Sequence, residues 1–185
     1  MFSLGIDDEL ALGLLEPRHA GVLHELVVGN RHYLGRWLPW ALKQTPGDSE
    51  AFIKRGLEQF ARSDGFQAGI CLKHRLIGVL GTHYLDWTSR ATEIGYWLAE
   101  AYQGQGLMTR TIYGACRYFF DELGLNRVEI RCDPANTRSR AIPERLGFTQ
   151  EGLLRQVGTL SHGYYDHVVY SLLAHEWQAR QEKRS

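Results

Sequence analysis

The chain of 185 residues has little that ties it to a charged partner, a membrane or a metal. Lys+Arg and Asp+Glu are equal at 21 each, so no net field argues for nucleic acid as a main ligand, and any anion site has to be local. Cysteine is scarce. Cys71, Cys116 and Cys132 are odd in number, far apart and without Cys-x-x-Cys spacing, which indicates neither a disulfide framework nor a zinc site and suits a reducing cytoplasm. His162 and His167 lack partner ligands in the sequence and read as surface or strand residues. No apolar run approaches the length of a membrane span. Met1 to Leu10 carries Asp7, Asp8 and Glu9 in place of the basic region and apolar core of a leader, so a soluble, unprocessed protein is expected. Repeats, low-complexity segments and a dividing linker are absent as well. At 44% hydrophobic residues, the default is one globular domain over residues 1–185.

Apolar spacing gives alternating elements. A strand is expected near Leu10 to Leu15. Pro17 suits the first turn of a helix carrying Val22, Leu23, Leu26 and Val27, and a short helix around Tyr33 to Trp37 precedes the interruption at Pro39. Asp48 or Ser49 is expected to cap a third helix, with Phe52, Ile53, Leu57 and Phe60 on its inner face. Phe66 to Leu72, Leu76 to Tyr84 and Ala91 to Leu98, separated by the polar turns Lys73-His74-Arg75 and Asp86 to Arg90, read as an antiparallel meander. A crossover then reaches a strand at Arg127 to Cys132, parallel to the last of these. Asn136 to Arg145 reads as a helix, and Thr149 to Val157 and Asp166 to Leu172 as a terminal antiparallel pair. The class is α/β (α+β), a mixed central sheet of about seven strands flanked by helices.

The run Glu93-Ile94-Gly95-Tyr96-Trp97-Leu98 is followed closely by Tyr102-Gln103-Gly104-Gln105-Gly106-Leu107-Met108-Thr109. Gly104 and Gly106 supply the φ freedom of a tight turn. Met108, Ile112, Ala115, Phe119 and Leu123 then recur at helical spacing until Gly124. A helix opened in this way presents N–H groups and a positive dipole end, an anion site suited to phosphate. Two glycines also serve a strand-to-helix turn for steric reasons alone. The loop lacks the third glycine of a dinucleotide fingerprint and the Gly-Lys-Ser/Thr ending of a P-loop.

A second motif is more specific. Asp133-Pro134-Ala135-Asn136-Thr137-Arg138-Ser139 leads into a helix that closes on Leu146-Gly147-Phe148. Gly147 can take the left-handed conformation that stops a helix, and Phe148 starts the next strand into the core. Asn136 and Ser139 also read as ordinary helix-capping residues. Pro143 is an oddity within that helix, since it removes a backbone donor.

Gln103-x-x-Gly106, with Met108 in the final Gly/Ala place, Asn136-x-x-Ser139 and Leu146-Gly147-Phe148 together resemble the GNAT family of acetyl-CoA-dependent N-acetyltransferases. With Glu93 to Leu98 and the ending Tyr170-Ser171-Leu172-Leu173, the chain is most similar to the ribosomal-protein (serine/alanine) N-acetyltransferase branch. The matched segments run from about Leu76 onward, more than half the chain, whereas the N-terminal third matches only loosely. The resemblance implies the GNAT fold and acetyl-CoA as cosubstrate, with no metal. It places the pantetheine along Tyr96, Trp97 and Leu98, the pyrophosphate on Gln103, Gly104, Gln105, Gly106, Leu107, Met108 and Thr109, and the arm and sulfur beside Asn136 and Ser139. The side chain of Met108 then has to point away from the pyrophosphate.

Ser139 is the residue expected to hydrogen-bond the departing thiolate. Glu93 and His83 are the candidates for the base, with a solvated strand residue and a partly buried histidine as their respective alternatives. Some members of the branch bear an acidic residue where this chain has Gly158. The matched motifs place no cysteine beside the thioester, so direct attack in a ternary complex is expected. A free α-amino group, with a pKa of about 7.7 to 8.0, is already partly neutral near pH 7, while freeing a lysine amine of its proton costs on the order of 4 kcal/mol there. An acceptor that is the α-amine of a protein or peptide, such as a ribosomal protein, follows from the branch and from this difference. Rival readings are a small-molecule amine acceptor (aminoglycoside or polyamine) and a non-catalytic acetyl-CoA-binding module. Tyr33, Arg36, Trp37 and Trp40 line either an acceptor groove or the core, and Arg110, Arg138 and Arg140 either meet the cofactor's 3′-phosphate or are solvated. A homodimer is one assembly the sequence allows.

Overall fold

The computed structural model describes residues 3–160 and 163–182. Among them run β1 (Ser3–Gly5), β2 (Leu10–Leu14), α1 (Ala20–Gly29), α2 (Arg31–Leu34), α3 (Pro46–Ala61), β3 (Gln67–Leu72), β4 (Arg75–Asp86), β5 (Ala91–Leu98), α4 (Leu107–Arg117), β6 (Arg127–Cys132), α5 (Thr137–Leu146), β7 (Thr149–Leu160), β8 (Gly163–Leu173) and α6 (Ala174–Glu182). The strands follow the order β1-β2-β3-β4-β5-β6-β8-β7 in one mixed sheet. It has eight strands, one more than the sequence suggested. The extra one is β1, three residues too short to show a period, which pairs antiparallel with β2. The β5–β6 pair is parallel, as the crossover length required, and its ladder runs from Ala91↔Arg127 to Ile94↔Ile130. That is half of β5.

Two compact units emerge, Met1–Thr82 with Gly95–Thr111, and His83–Ile94 with Ile112–Ser185. The first unit has its core under α1 and α3, where Leu15, Leu23, Val27, Leu34, Ile53 and Val79 are buried and Tyr33, Phe52, Leu57 and Trp97 pack against them. Pro17 starts a single 3-10 turn, and α1 follows at Ala20. This phasing turns Val22 outward, so Leu23 and Val27 carry the stripe. Phe60, expected inside, is also exposed. The cap of α3 is Thr45 and not Asp48 or Ser49. Thr45 Oγ1 accepts from Asp48 N at 3.3 Å, Asp48 Oδ2 accepts from Thr45 N at 2.8 Å, and Pro46 takes the first helical position. Ser49 is buried instead and accepts from Gln44 Nε2 at 3.0 Å. Lys73 and His74, both at positive φ, make the two-residue turn between β3 and β4.

In the second unit β6 pairs antiparallel with β8, and β8 with β7. Buried Tyr170 accepts from Arg140 Nε at 2.9 Å and donates to Glu144 Oε1 at 2.7 Å, tying β8 to α5. Helix α5 contains Pro143 and closes on Gly147 at φ 71°, whose carbonyl accepts from Arg180. Helix α6 has no counterpart in the sequence reading. Trp177 anchors it, donating to Asp121 Oδ1 at 2.8 Å and stacking on Phe120, and as the one buried residue among those described in the helix it leaves no apolar period to detect. Among the described residues no helix is long and apolar enough to cross a membrane.

Candidate active site

The first unit carries the glycine loop. After β5 a 3-10 turn at Glu100–Tyr102 delivers the chain to Gln103. Gly104 and Gly106 both sit at φ +71°, and helix α4 begins at Leu107 with Arg110 N donating to Gly106 O at 3.0 Å. A Cβ at either glycine would meet nothing within 4 Å. The backbone of the loop is therefore open on the side a side chain would fill, beside the positive end of an eleven-residue helix. Met108 is buried, so its side chain turns inward as the loop reading required. Gln103 Nε2 donates to the Tyr33 hydroxyl, Glu100 N donates to Asn30 Oδ1 at 2.8 Å, and Gln105 Nε2 donates to Ala101 O at 3.1 Å. Trp40, nearly half exposed, meets Trp97 edge-on with ring centroids 6.4 Å apart. Arg110 is paired with Asp7, whose Oδ2 lies 2.9 Å from its Nε and 2.7 Å from its Nη2.

The second unit carries Asn136, Ser139, Glu93 and His83. Asn136 is the N-cap of α5, its Oδ1 accepting from Ser139 N at 3.1 Å. Ser139 Oγ lies 3.3 Å from Cys132 Sγ. A cysteine does stand beside the residue assigned to the thiolate, contrary to the sequence expectation. Positions 132 and 139 fit no single period, because one ends a strand and the other lies in a helix. Burial pushes the thiols of Cys71 and Cys116 up. Arg140 is engaged by Tyr170 and Glu144.

Glu93 is not solvated. Its side chain is only 14% exposed, with Oε2 3.2 Å from Arg131 Nε and Oε1 3.9 Å from His83 Nε2. His83 is 63% exposed, not the partly buried residue expected. Arg131 also binds Glu129 at 2.6 Å, and Arg127 joins Glu129 and Glu151 at 2.6 Å each. Arg131 was missed in the sequence. Its signal was available: Arg127, Glu129 and Arg131 alternate along one strand and so share a face. Burial and the neighbouring Glu129 and Glu93 raise the Tyr84 phenol. His167 is half-buried, and His162 lies outside the described residues. Among the described residues no group of three or more His, Cys, Asp or Glu is placed to hold a metal ion.

A mixed sheet with one parallel pair, a doubly left-handed glycine loop opening a helix, and an Asn-capped helix presenting a serine define an acetyltransferase of the GNAT type. The chain belongs to the GNAT acetyltransferase family: the model of the Acetyltransferase (GNAT) domain matches residues 9–149, drawing on both units. It is an acetyl-CoA-dependent N-acetyltransferase. The Bacillus subtilis protein YdaF, whose ribosomal N-acetyltransferase activity is itself only proposed, is 38% identical over 96% of this chain and 98% of its own. RimL, a ribosomal L7/L12 alpha-N-protein acetyltransferase, superposes with a TM-score of 0.89 at 25% identity, over 95% of this chain and 99% of that one. That structure contains coenzyme A joined to a cysteine by a disulfide. The microcin C7 self-immunity acetyltransferase MccE, solved with acetyl-CoA and AMP, superposes with a TM-score of 0.86 at 27% identity, over 91% and 94% of the two chains.

Proposed function

We propose that this chain, acting as one acetyltransferase domain in the cytoplasm, transfers an acetyl group from acetyl-CoA to the α-amino group of a protein or peptide, with a ribosomal protein as the class of acceptor. The observation that carries this reading is the near full-length similarity to RimL, a ribosomal L7/L12 alpha-N-protein acetyltransferase. The open backbone at Gly104 and Gly106 suits a pyrophosphate, with Gln103 to Thr109 as its cradle and Tyr96, Trp97 and Leu98 as the backbone edge for the pantetheine. When bound, acetyl-CoA supplies an activated acyl group and a thiolate leaving group. Asn136 positions the first turn of α5, and the Ser139 hydroxyl donates to the departing sulfur. In RimL a cysteine reaches the sulfur of coenzyme A; here Cys132 touches Ser139, which fits the sulfur at this pair.

Transfer is direct in this reading. The raised thiols of Cys71 and Cys116 are poor nucleophiles. The microcin-immunity neighbour keeps a small-molecule acceptor as the second reading, but a polycationic amine calls for uncommitted acids, and Glu93 and Glu129 are both paired with Arg131. The test is incubation with acetyl-CoA and paired peptides, one with a free N-terminus, the other with a blocked N-terminus and an internal lysine. The free α-amine is expected to be acetylated at least tenfold faster, with no acetyl group on any cysteine. Preference for the blocked lysine peptides would overturn the acceptor, and an acetylated Cys132 competent for transfer would overturn direct attack.

A further inference from the structure

The two glycines that open the loop for a pyrophosphate give it no side-chain anchor of their own. Gly104 and Gly106 sit at φ +71°, and a Cβ built at either meets no heavy atom within 4 Å. Glycine also loses more conformational freedom on ordering than any other residue. Helix α4 fixes the far end of the loop, where Arg110 N donates to Gly106 O at 3.0 Å. At the near end, the 3-10 turn Glu100–Tyr102 follows Ala99, which supplies no side-chain cap. That end is held from elsewhere in the first unit.

Both anchors come from the junction of α1 and α2. Asn30 stands between the two helices, and its amide bonds in two directions: Nδ2 donates to Leu26 O at 2.8 Å, one turn back in α1, and Oδ1 accepts from Glu100 N at 2.8 Å. The N–H at the start of a 3-10 turn has no partner within the turn, and here Asn30 caps it from a distant part of the chain. Three residues on, the Tyr33 hydroxyl accepts from Gln103 Nε2. Tyr33 packs against the buried cluster that includes Leu23, Val27 and Leu34, and Leu34 N donates to Asn30 O at 2.9 Å. The two anchors therefore stand on packed backbone, and their matching spacing lays the first turn of α2 along the turn that enters the loop.

We propose that Tyr33, supported by Asn30, is a positioning residue for the cofactor: the α1–α2 junction holds Gln103 and the turn before it in the shape that receives the pyrophosphate. The inference rests on the placement of the pyrophosphate at Gln103 to Thr109. A loop already in its bound shape loses less of the binding free energy to its own ordering. Tyr33 accepts an amide hydrogen of Gln103 and so fixes the direction in which that side chain lies. Without the hydroxyl, Gln103 regains rotamers that the bond excludes, and the loop meets the cofactor less often in the competent shape. Neither anchor bonds a group that acts on the thioester, so the loss falls on cofactor affinity and not on the chemical step.

The experiment is a double-mutant cycle of Tyr33→Phe and Gln103→Met, read by calorimetric acetyl-CoA affinity and by kcat with both substrates saturating. Tyr33→Phe removes one oxygen and is expected to weaken acetyl-CoA binding about fivefold, with kcat within twofold of wild type. The double variant is expected to bind within twofold of Gln103→Met alone, because the two substitutions break the same bond. A Tyr33→Phe affinity within twofold of wild type, losses that multiply in the double variant, or a loss confined to kcat would overturn the proposal; a role in stability alone would give independent losses. If Tyr33→Phe fails to fold, Asn30→Ala decides in the same assay: it releases the turn at its other anchor, a loss of about fivefold in affinity is expected, and a change under twofold overturns the proposal. A folded Gly106→Asp that binds acetyl-CoA as tightly as wild type refutes the pyrophosphate placement and this inference together. Weak binding by Gly106→Asp with Tyr33→Phe unaffected refutes this inference alone.

Discussion

Replacing Gly106 by Asp puts a negative charge where the glycine loop is read to hold a pyrophosphate, and the structure separates the contributions. A Cβ at Gly106 meets no heavy atom within 4 Å, so no packing is lost. The residue sits at φ +71°, where a non-glycine side chain costs about 1 to 2 kcal/mol and Asp and Asn are tolerated better than most residues. Gly106→Asn carries the same strain without the charge. At about 6 Å and an effective dielectric of 20, one unit charge repels another by about 3 kcal/mol, and salt at 0.15 M removes roughly half of that. A pyrophosphate bears more than one charge, so Gly106→Asp is expected to bind acetyl-CoA about 10- to 100-fold more weakly than Gly106→Asn, with the gap narrowing in 1 M salt. Calorimetry on both variants, after circular dichroism has shown that they fold, measures it. A folded Gly106→Asp with affinity within threefold of Gly106→Asn would show that no phosphate lies at this helix start.

Ser139→Ala is expected to lower kcat about tenfold or more while changing acetyl-CoA affinity less than threefold, since its partner charge develops only as the thiolate leaves; lost affinity with kcat intact would make it a cofactor clamp. Glu151 accepts two hydrogen bonds from Arg127 at 2.6 Å and one from Ser171 at 2.7 Å, and the Arg127 guanidinium is the main cause that lowers its carboxyl from 4.5 to about 2. The folded value lies below the unfolded one, so this stability is complete above pH 4.5 and is lost as pH falls toward 2. With 40% of the side chain exposed, screening leaves about 1 kcal/mol. Urea unfolding at pH 7 and pH 3 should show this difference in wild type and not in Glu151→Gln, and equal slopes would refute it.

Much of the fold was legible because each long element repeats its period. Met108, Ile112, Ala115 and Phe119 are all buried as their spacing required, and Gly147 ends α5 in the left-handed conformation that only a glycine adopts freely. Short or singly anchored elements escaped. β1 has three residues, and among the described residues of α6 only Trp177 is buried. The cap of α3 was misplaced because three candidate oxygens lie within five residues, and only the position of Pro46 selects Thr45. Within the candidate site, the local motifs around Gly106 and Ser139 could be read along the chain. The pairing of Glu93 with Arg131 could not: alternation puts Arg127, Glu129 and Arg131 on one face of their strand, and only the pairing of β5 with β6 brings Glu93 to that face.

The most direct test of acetyl transfer to a protein α-amine is quantitative mass spectrometry of protein N-termini from cells with the gene deleted and then restored. One or a few N-termini, with a ribosomal protein among them, are expected to lose acetylation on deletion and regain it with the wild-type chain but not with Ser139→Ala or Gly106→Asp. N-terminal acetylation unchanged throughout, with a small amine or internal lysines losing their acetyl groups instead, would contradict it.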